Sequence, residues 1–399
     1  MVSANFSIFI IFGLSIISYI LTKQMIPLFI NKFLSANISG IDVHKASKPK
    51  LPESFGVVTG CIFLVTCFIF LPILYSPGSI SVENFPHNEF VEMVASLLSI
   101  CCMLLLGFID DIFDLRWRHK LFFPTLASLP LLIVYHININ STTVLIPRQL
   151  RHIFGVSVDL GILYYIYMGM LAVFCTNAIN IYAGVNGLEV GQSVIIALSV
   201  FVFNIIEYYG SARKSHVLSL YFILPFLGVS SSLLKYNWFP ARVFVGDTYC
   251  YFAGMLFAVI AILGHFSKTM LLFFIPQVFN FIYSLPQLLH FIPCPRHRFP
   301  LLTKSGVLEP SYVEFSLNEI SLIGKICFGI LQKFHLIKVY RKDNIKVKCN
   351  NLTLLNITLV IFGSMHEEML TTKLLMLQII CTGIAFTIRY PLASLFYDV

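Results

Sequence analysis

The chain has 399 residues, 57% of them hydrophobic and only 12% charged, with a formal net charge of +8. Soluble domains carry about 25% charged residues, so an ordinary soluble globular protein is excluded. Ten cysteines, most of them inside apolar runs and none in CxxC spacing, exclude a cysteine zinc site and read as small buried hydrophobes.

Apolar runs long enough to cross roughly 30 Å of hydrocarbon recur along the whole chain. They predict spans near 7–30, 55–75, 92–110, 121–137, 160–176, 192–206, 217–233, 249–263, 270–290 and 371–389. The first run, Phe6 to Ile30, is too long for a cleaved signal peptide and reads as the first span. About ten spans put both termini on one side. The loops 31–54, 111–120, 177–191, 234–248 and 291–370 hold 19 Lys and Arg, against 5 in the alternate loops 138–159, 207–216 and 264–269. The first set is therefore expected in the cytosol. Residues 1–300 form the first nine spans, 301–370 a small cytosolic α/β insertion and 371–399 the last span with its tail. The insertion is dense in charge, with a helical stretch from Leu317 to Phe334 and β-leaning runs at Lys346–Lys348 and Leu352–Phe362. The fold class is thus an all-α polytopic membrane protein with a small α/β insertion before the last helix.

Polar residues that look out of place gather in the cytosolic set. The third span ends Gly107-Phe108-Ile109-Asp110-Asp111-Ile112-Phe113-Asp114, followed by Trp117 and Lys120. If the helix continues, Asp110 and Asp114 share a face one turn apart. Carboxylates this close repel unless a cation or proton joins them, and near a membrane such groups usually carry function. The fifth span runs into Asn177, Asn180, Gly184, Asn186 and Gly187. Asn177 and Asn180, at i and i+3, either offer oxygens to a hard cation or bond a neighbouring helix. The eighth span opens Phe244-Val245-Gly246-Asp247-Thr248, which a plain helix cap would also explain. After the ninth comes Pro293-Cys294-Pro295-Arg296-His297-Arg298-Phe299-Pro300. Its prolines restrict the backbone, and its guanidinium forks suit phosphate oxygens. Carboxylates and basic forks on one membrane face suit magnesium and phosphates. No GxxxxGK[ST] or GxSxG motif occurs, which removes a P-loop and a hydrolase elbow. A cation-coupled transporter would place its charges at mid-membrane instead.

These motifs, in this order and with Leu51-Pro52-Glu53-Ser54, resemble the polyprenyl-phosphate N-acetylhexosamine-1-phosphate transferases, in particular the eukaryotic branch that uses dolichyl phosphate. The likeness spans nearly the whole chain. It implies transfer of GlcNAc-1-phosphate from UDP-GlcNAc to dolichyl phosphate with Mg²⁺ as cofactor. It also implies a homodimer in the endoplasmic reticulum membrane with a site facing the cytosol. The partners are then a nucleotide sugar and membrane lipid, with no nucleic acid. A related transferase using another polyprenyl phosphate or UDP-sugar is the alternative. Carried over motif by motif, Asp110, Asp111 and Lys120 correspond to the catalytic group, Asn180 and Asp247 to the magnesium ligands, and Arg296, His297 and Arg298 to the diphosphate grip. Glu53, Asn186 and Phe244 correspond to the donor pocket, with Trp117, Asp114 and Gly184 nearby. Two positions depart from the family pattern: Asp114, where the third acidic position varies, and Phe55, where Gln is common.

Overall fold

The computed structural model describes residues 4–75, 85–115, 117–341 and 346–397. Fourteen helices run through the described residues: α1 (Ala4–Ser35), α2 (Gly56–Leu74), α3 (His87–Phe113), α4 (Trp117–Asn138), α5 (Arg151–Phe154), α6 (Ile162–Ile181) and α7 (Leu188–Ile206), then α8 (Arg213–Asn237), α9 (Gly246–Leu263), α10 (Ser267–Phe273), α11 (Ile275–Leu288), α12 (Leu322–Lys333), α13 (Leu354–Phe362) and α14 (Glu367–Thr387). Among the described residues, nine helices are long and apolar enough to cross a membrane, and a bent pair brings the count to ten. The chain is a multi-pass, all-α membrane protein.

The bent pair lies where the sequence places a span over 270–290. α10 and α11 meet at 73°. Pro276 sits in the first turn of α11, where its missing N–H costs nothing but prevents a continuous helix through that point. A buried amide cluster holds the break in place. Gln277 of α11 donates to Gln192 of α7 at 2.7 Å and to Gln378 of α14 at 2.8 Å, while Gln378 donates to the Phe273 carbonyl. Inside a bilayer such amides have no water to turn to, so they bond helix to helix.

α9 is the axis of the bundle, with 89% of its apolar window buried. Glycines let its neighbours approach. A Cβ on Gly107 of α3 would lie 2.6 Å from the Thr248 Cα, and one on Gly254 would lie 2.4 Å from the Thr176 Cα of α6. Outward faces carry Phe9, Ile17, Leu105 and Ile379, each about half exposed or more. Exposed apolar area in so continuous a belt suits lipid rather than water.

The strands are short and all antiparallel. β1 (Ser39–Ile41) pairs with β2 (Lys50–Pro52), β3 (Thr143–Leu145) with β4 (Ser157–Asp159), and β5 (Leu301–Leu302) with β6 (Leu308–Glu309). β7 (Tyr312–Ser316), β8 (Val339–Arg341) and β9 (Lys346–Asn350) form a three-stranded sheet in the order β7-β9-β8. A second core joins this region to the ends of α6, α7, α11 and α14 through Tyr182, Leu188, Tyr283, Leu355 and Leu374. The run Leu352–Phe362, expected to lean toward strand, is the helix α13. The Thr353 hydroxyl caps it by accepting from the Asn356 N–H, and all-round burial of its first two turns overrides the β preference of its branched residues. Arg116 and residues 342–345, which contribute to the charge reading, lie outside the described residues.

Candidate active site

Two chain crossings build the site. In the first, the segment after β2 lies beside the segment leading into α9. Phe244 N–H donates to the Pro52 carbonyl at 2.8 Å, and Gly56 N–H to the Val245 carbonyl at 2.9 Å. This brings Glu53 and Phe244 to one wall. In the second, the carboxyl end of α3 meets the amino end of α9. Val245, the residue before the helix, offers no side-chain cap. The Asp111 carboxylate does that work from α3, accepting from the Asp247 N–H at 2.6 Å, the Thr248 N–H at 3.3 Å and the Thr248 hydroxyl. A carboxylate there also faces the positive end of the α9 dipole. Gly246 makes room: its φ is +71° and a Cβ would lie 2.1 Å from Asp111 Oδ2.

The adjacent carboxylates of α3 therefore serve different partners. Asp110, 2% exposed, accepts from the Tyr251 hydroxyl at 2.8 Å and from the Leu115 N–H at 3.1 Å. Its Oδ2 is also 3.1 Å from Lys120 Nζ, which stands 2.8 Å from Asp247 Oδ2. One ammonium thus joins carboxylates from two helices. Asn177 fixes the approach of that lysine, donating to the Lys120 carbonyl at 3.3 Å; the amide bond to a neighbouring helix is the role it takes here.

A cavity of about 300 Å³ opens on this cluster. Glu53, Asn180, Gly184, Asn186, Phe244 and Asp247, six residues singled out in the sequence, line it together. Burial and the neighbouring Asp247 carboxylate hold the Glu53 carboxyl above its ordinary range. Asp247 Oδ1 and the Asn180 carboxamide have no partner among the described residues, so two hard oxygens from α6 and α9 remain for a cation.

The Pro-rich segment reaches the same place by its end. The Phe299 ring lines the cavity against Gly184, whose φ is +120° and whose missing Cβ would lie 2.4 Å from that ring. Arg296 and His297 are exposed. Arg298 is half-buried, its carbonyl accepting from Asn356 at 2.8 Å, while one guanidinium nitrogen is buried with no partner among the described residues. Burial lowers the Arg298 pKa from its usual value. A buried guanidinium nitrogen without a partner could take up an anion's oxygen.

Asp114 does not join Asp110 on a helix face. α3 stops at Phe113, and Asp114 takes the left-handed cap at φ 47°, its N–H bonded to the Asp110 carbonyl. Short polar residues tolerate that conformation, and it turns Asp114 out to solvent. Trp117 opens α4, and its side chain lies outside the described residues.

Sequence reasoning missed a third wall. Asp42, His44 and Glu189 line the cavity, and Glu367 stands behind it. The ligating atoms of Asp42, His44 and Glu367 lie within 4.8 Å of one another. Lys45 serves the two carboxylates, 2.9 Å from Glu367 Oε2 and 3.7 Å from Asp42 Oδ2. Glu367 accepts from the Asn186 N–H at 2.8 Å, and His44 Nε2 lies 3.1 Å from the Pro300 carbonyl. A signal was available: Glu367-Glu368 opens the last span as a carboxylate pair, the mirror of Asp110-Asp111 at the end of the third.

The glycosyl transferase family 4 matches residues 93–265. The UDP-N-acetylglucosamine–dolichyl-phosphate N-acetylglucosaminephosphotransferase of Schizosaccharomyces pombe is 44% identical over 96% of this chain and 92% of its own length. The enzyme of the same name from Saccharomyces cerevisiae is 44% identical over 93% of this chain and 88% of its own. That from Dictyostelium discoideum is 42% identical, covering 93% and 86%.

Proposed function

This chain belongs to the family of UDP-N-acetylglucosamine–dolichyl-phosphate N-acetylglucosaminephosphotransferases, and we propose that it transfers GlcNAc-1-phosphate from UDP-GlcNAc to dolichyl phosphate, the first step of the lipid-linked pathway to N-glycosylation. The observation that carries the proposal is the joining of Asp110, Lys120 and Asp247 beside a cavity that also holds Glu53, Asn180, Asn186 and Phe244.

In this reading an oxygen of the acceptor phosphate attacks the sugar-bearing phosphorus. The bond from that phosphorus to the bridging oxygen breaks, and UMP leaves. A phosphate monoester has a second pKa near 6, so the acceptor needs no strong base. The barrier to overcome is repulsion between anions, about 4 kcal/mol for a close pair of unit charges at an effective dielectric of 20. Lys120, Arg296 and Arg298 would offset it, with His297 as a further donor. Asn180 and Asp247 would hold Mg²⁺, whose contribution when bound is neutralisation of the diphosphate oxygens. Asp110 orients Lys120, and Asp111 orients the turn that presents Asp247. Phe244 and Asn186 line the donor pocket.

The surplus of Lys and Arg in one set of loops supports a cytosol-facing site, and relatives with this printed function support residence in the endoplasmic reticulum membrane. The same reading has residues 301–370 as a cytosolic insertion and the active form as a homodimer. Purified protein incubated with radiolabelled UDP-GlcNAc and dolichyl phosphate tests the proposal. Magnesium-dependent label in the organic phase is expected; label that stays aqueous at every magnesium concentration refutes it.

A further inference from the structure

Asn186 is fixed on every side but one. Its N–H donates to Glu367 Oε1 at 2.8 Å and its carbonyl accepts from the Thr371 hydroxyl at 3.0 Å, so the first turns of α14 pin its backbone. Its side-chain Nδ2 donates to Asp42 Oδ2 at 3.1 Å. A carboxylate can only accept, whereas a carboxamide can present either its oxygen or its nitrogen. With Lys45 near Asp42 Oδ2 and the His44 N–H on Asp42 Oδ1 at 3.1 Å, Asp42 is held as an acceptor. Turning the amide over would set two oxygens against each other in a buried place, since Asp42 is 3% and Asn186 5% exposed. Asn186 Oδ1 has no partner among the described residues, and Asn186 lines the cavity.

We propose that Asp42 is a specificity-determining positioning residue: it locks the Asn186 carboxamide with its oxygen toward the cavity, so that the site accepts a hydrogen bond from an N–H of the donor substrate. The inference rests on the nucleotide-sugar reading above. Two groups of UDP-GlcNAc have that chemistry, the N3–H of uracil and the N–H of the acetamido group. A site built to bond a donor discriminates strongly against analogues that lack it, because its own buried acceptor is left unpaired.

The test compares UDP-GlcNAc with two analogues in the full-length protein. CDP-GlcNAc replaces the N3–H by an acceptor nitrogen, and UDP-2-deoxyglucose removes the acetamido group. In Asp42→Asn the new amide can bond Asn186 either way round, and the lock is lost. The kcat/KM ratio of UDP-GlcNAc over one of the analogues should fall by at least about tenfold, and the analogue concerned identifies which N–H is read. Asp42→Ser, whose hydroxyl also donates or accepts, releases the same lock and takes its place if Asp42→Asn does not accumulate. The exchange variant Asp42→Asn with Asn186→Asp puts a permanent acceptor back in the cavity and should restore the wild-type ratio, which a general loss of stability would not do. Both ratios unchanged within about twofold in a variant that transfers from UDP-GlcNAc would overturn the proposal while leaving the transferase reading intact. No transfer by the wild-type protein would remove both.

Discussion

Lys120 Nζ lies 2.8 Å from Asp247 Oδ2 across 127 residues of chain, and the same ammonium is 3.1 Å from Asp110 Oδ2. The three side chains come from α4, α9 and α3, so one cation closes the junction of three spans. Because Asp110 is buried, removing its counter-charge leaves a buried carboxylate held, among the described residues, by the Tyr251 hydroxyl and the Leu115 N–H alone.

Lys120→Met should therefore lower kcat/KM for phosphosugar transfer by about 10²-fold or more and also lower the melting temperature in detergent. Lys120→Arg keeps the charge but not the shape of the donor and should recover stability better than activity. Equal transfer rates for wild type and Lys120→Met would remove the lysine from the proposed mechanism.

The contact between Asp111 and the start of α9 predicts a matched pair. Asp111→Ala deletes a helix cap and should cost about 1 kcal/mol or more, along with a fall in activity as Asp247 loses its fixed turn. Gly246→Ala should do at least as much harm, because φ +71° and a Cβ 2.1 Å from Asp111 Oδ2 both oppose it. Gly13→Ala in α1, where a Cβ meets nothing within 4 Å, should be neutral or stabilising by up to about 1 kcal/mol. Thermal melts of the three variants in one detergent check the order.

Glu53 sets a pH dependence with a definite sign. Its folded pKa is raised by burial and then by Asp247, so the folded state holds the proton more tightly than the unfolded chain. That contribution to stability is fully present below the unfolded value near 4.5 and is lost as pH rises through the folded value. Glu53→Gln should thus melt higher than wild type at neutral pH, with the gap closing as pH falls toward about 4. A gap that widens on acidification would contradict the sign.

Metal dependence separates Asp247 from a merely structural acid. Chelation should abolish transfer by the wild type, and magnesium should restore it. Asp247→Ala should stay inactive at any magnesium concentration, having lost the Asp247 oxygen that Lys120 leaves free to face the cavity. A direct displacement also predicts no UMP release without acceptor, so UMP formed from UDP-GlcNAc alone would point to a covalent enzyme intermediate.

Much of this was legible in the sequence for a physical reason. Crossing a bilayer demands about 20 apolar residues at a stretch, a constraint that leaves its mark on composition itself, so each span could be read locally. Polar residues at span ends are costly enough to mark themselves, which made Asp110, Lys120, Asn180 and Asp247 visible one motif at a time. Their neighbours did not share that advantage. Asp111 differs from Asp110 only by about 100° of helix rotation, and only the packing of α3 on α9 makes one a helix cap and the other a partner of Lys120. Asp114 left the cluster because a single residue took a left-handed conformation. Asp42, His44 and Glu367 come from opposite ends of the chain, and nothing local ties a carboxylate at 367 to an amide at 186. Local chemistry determined which residues were expensive to bury; only the long-range packing of the helices decided which of them face one another.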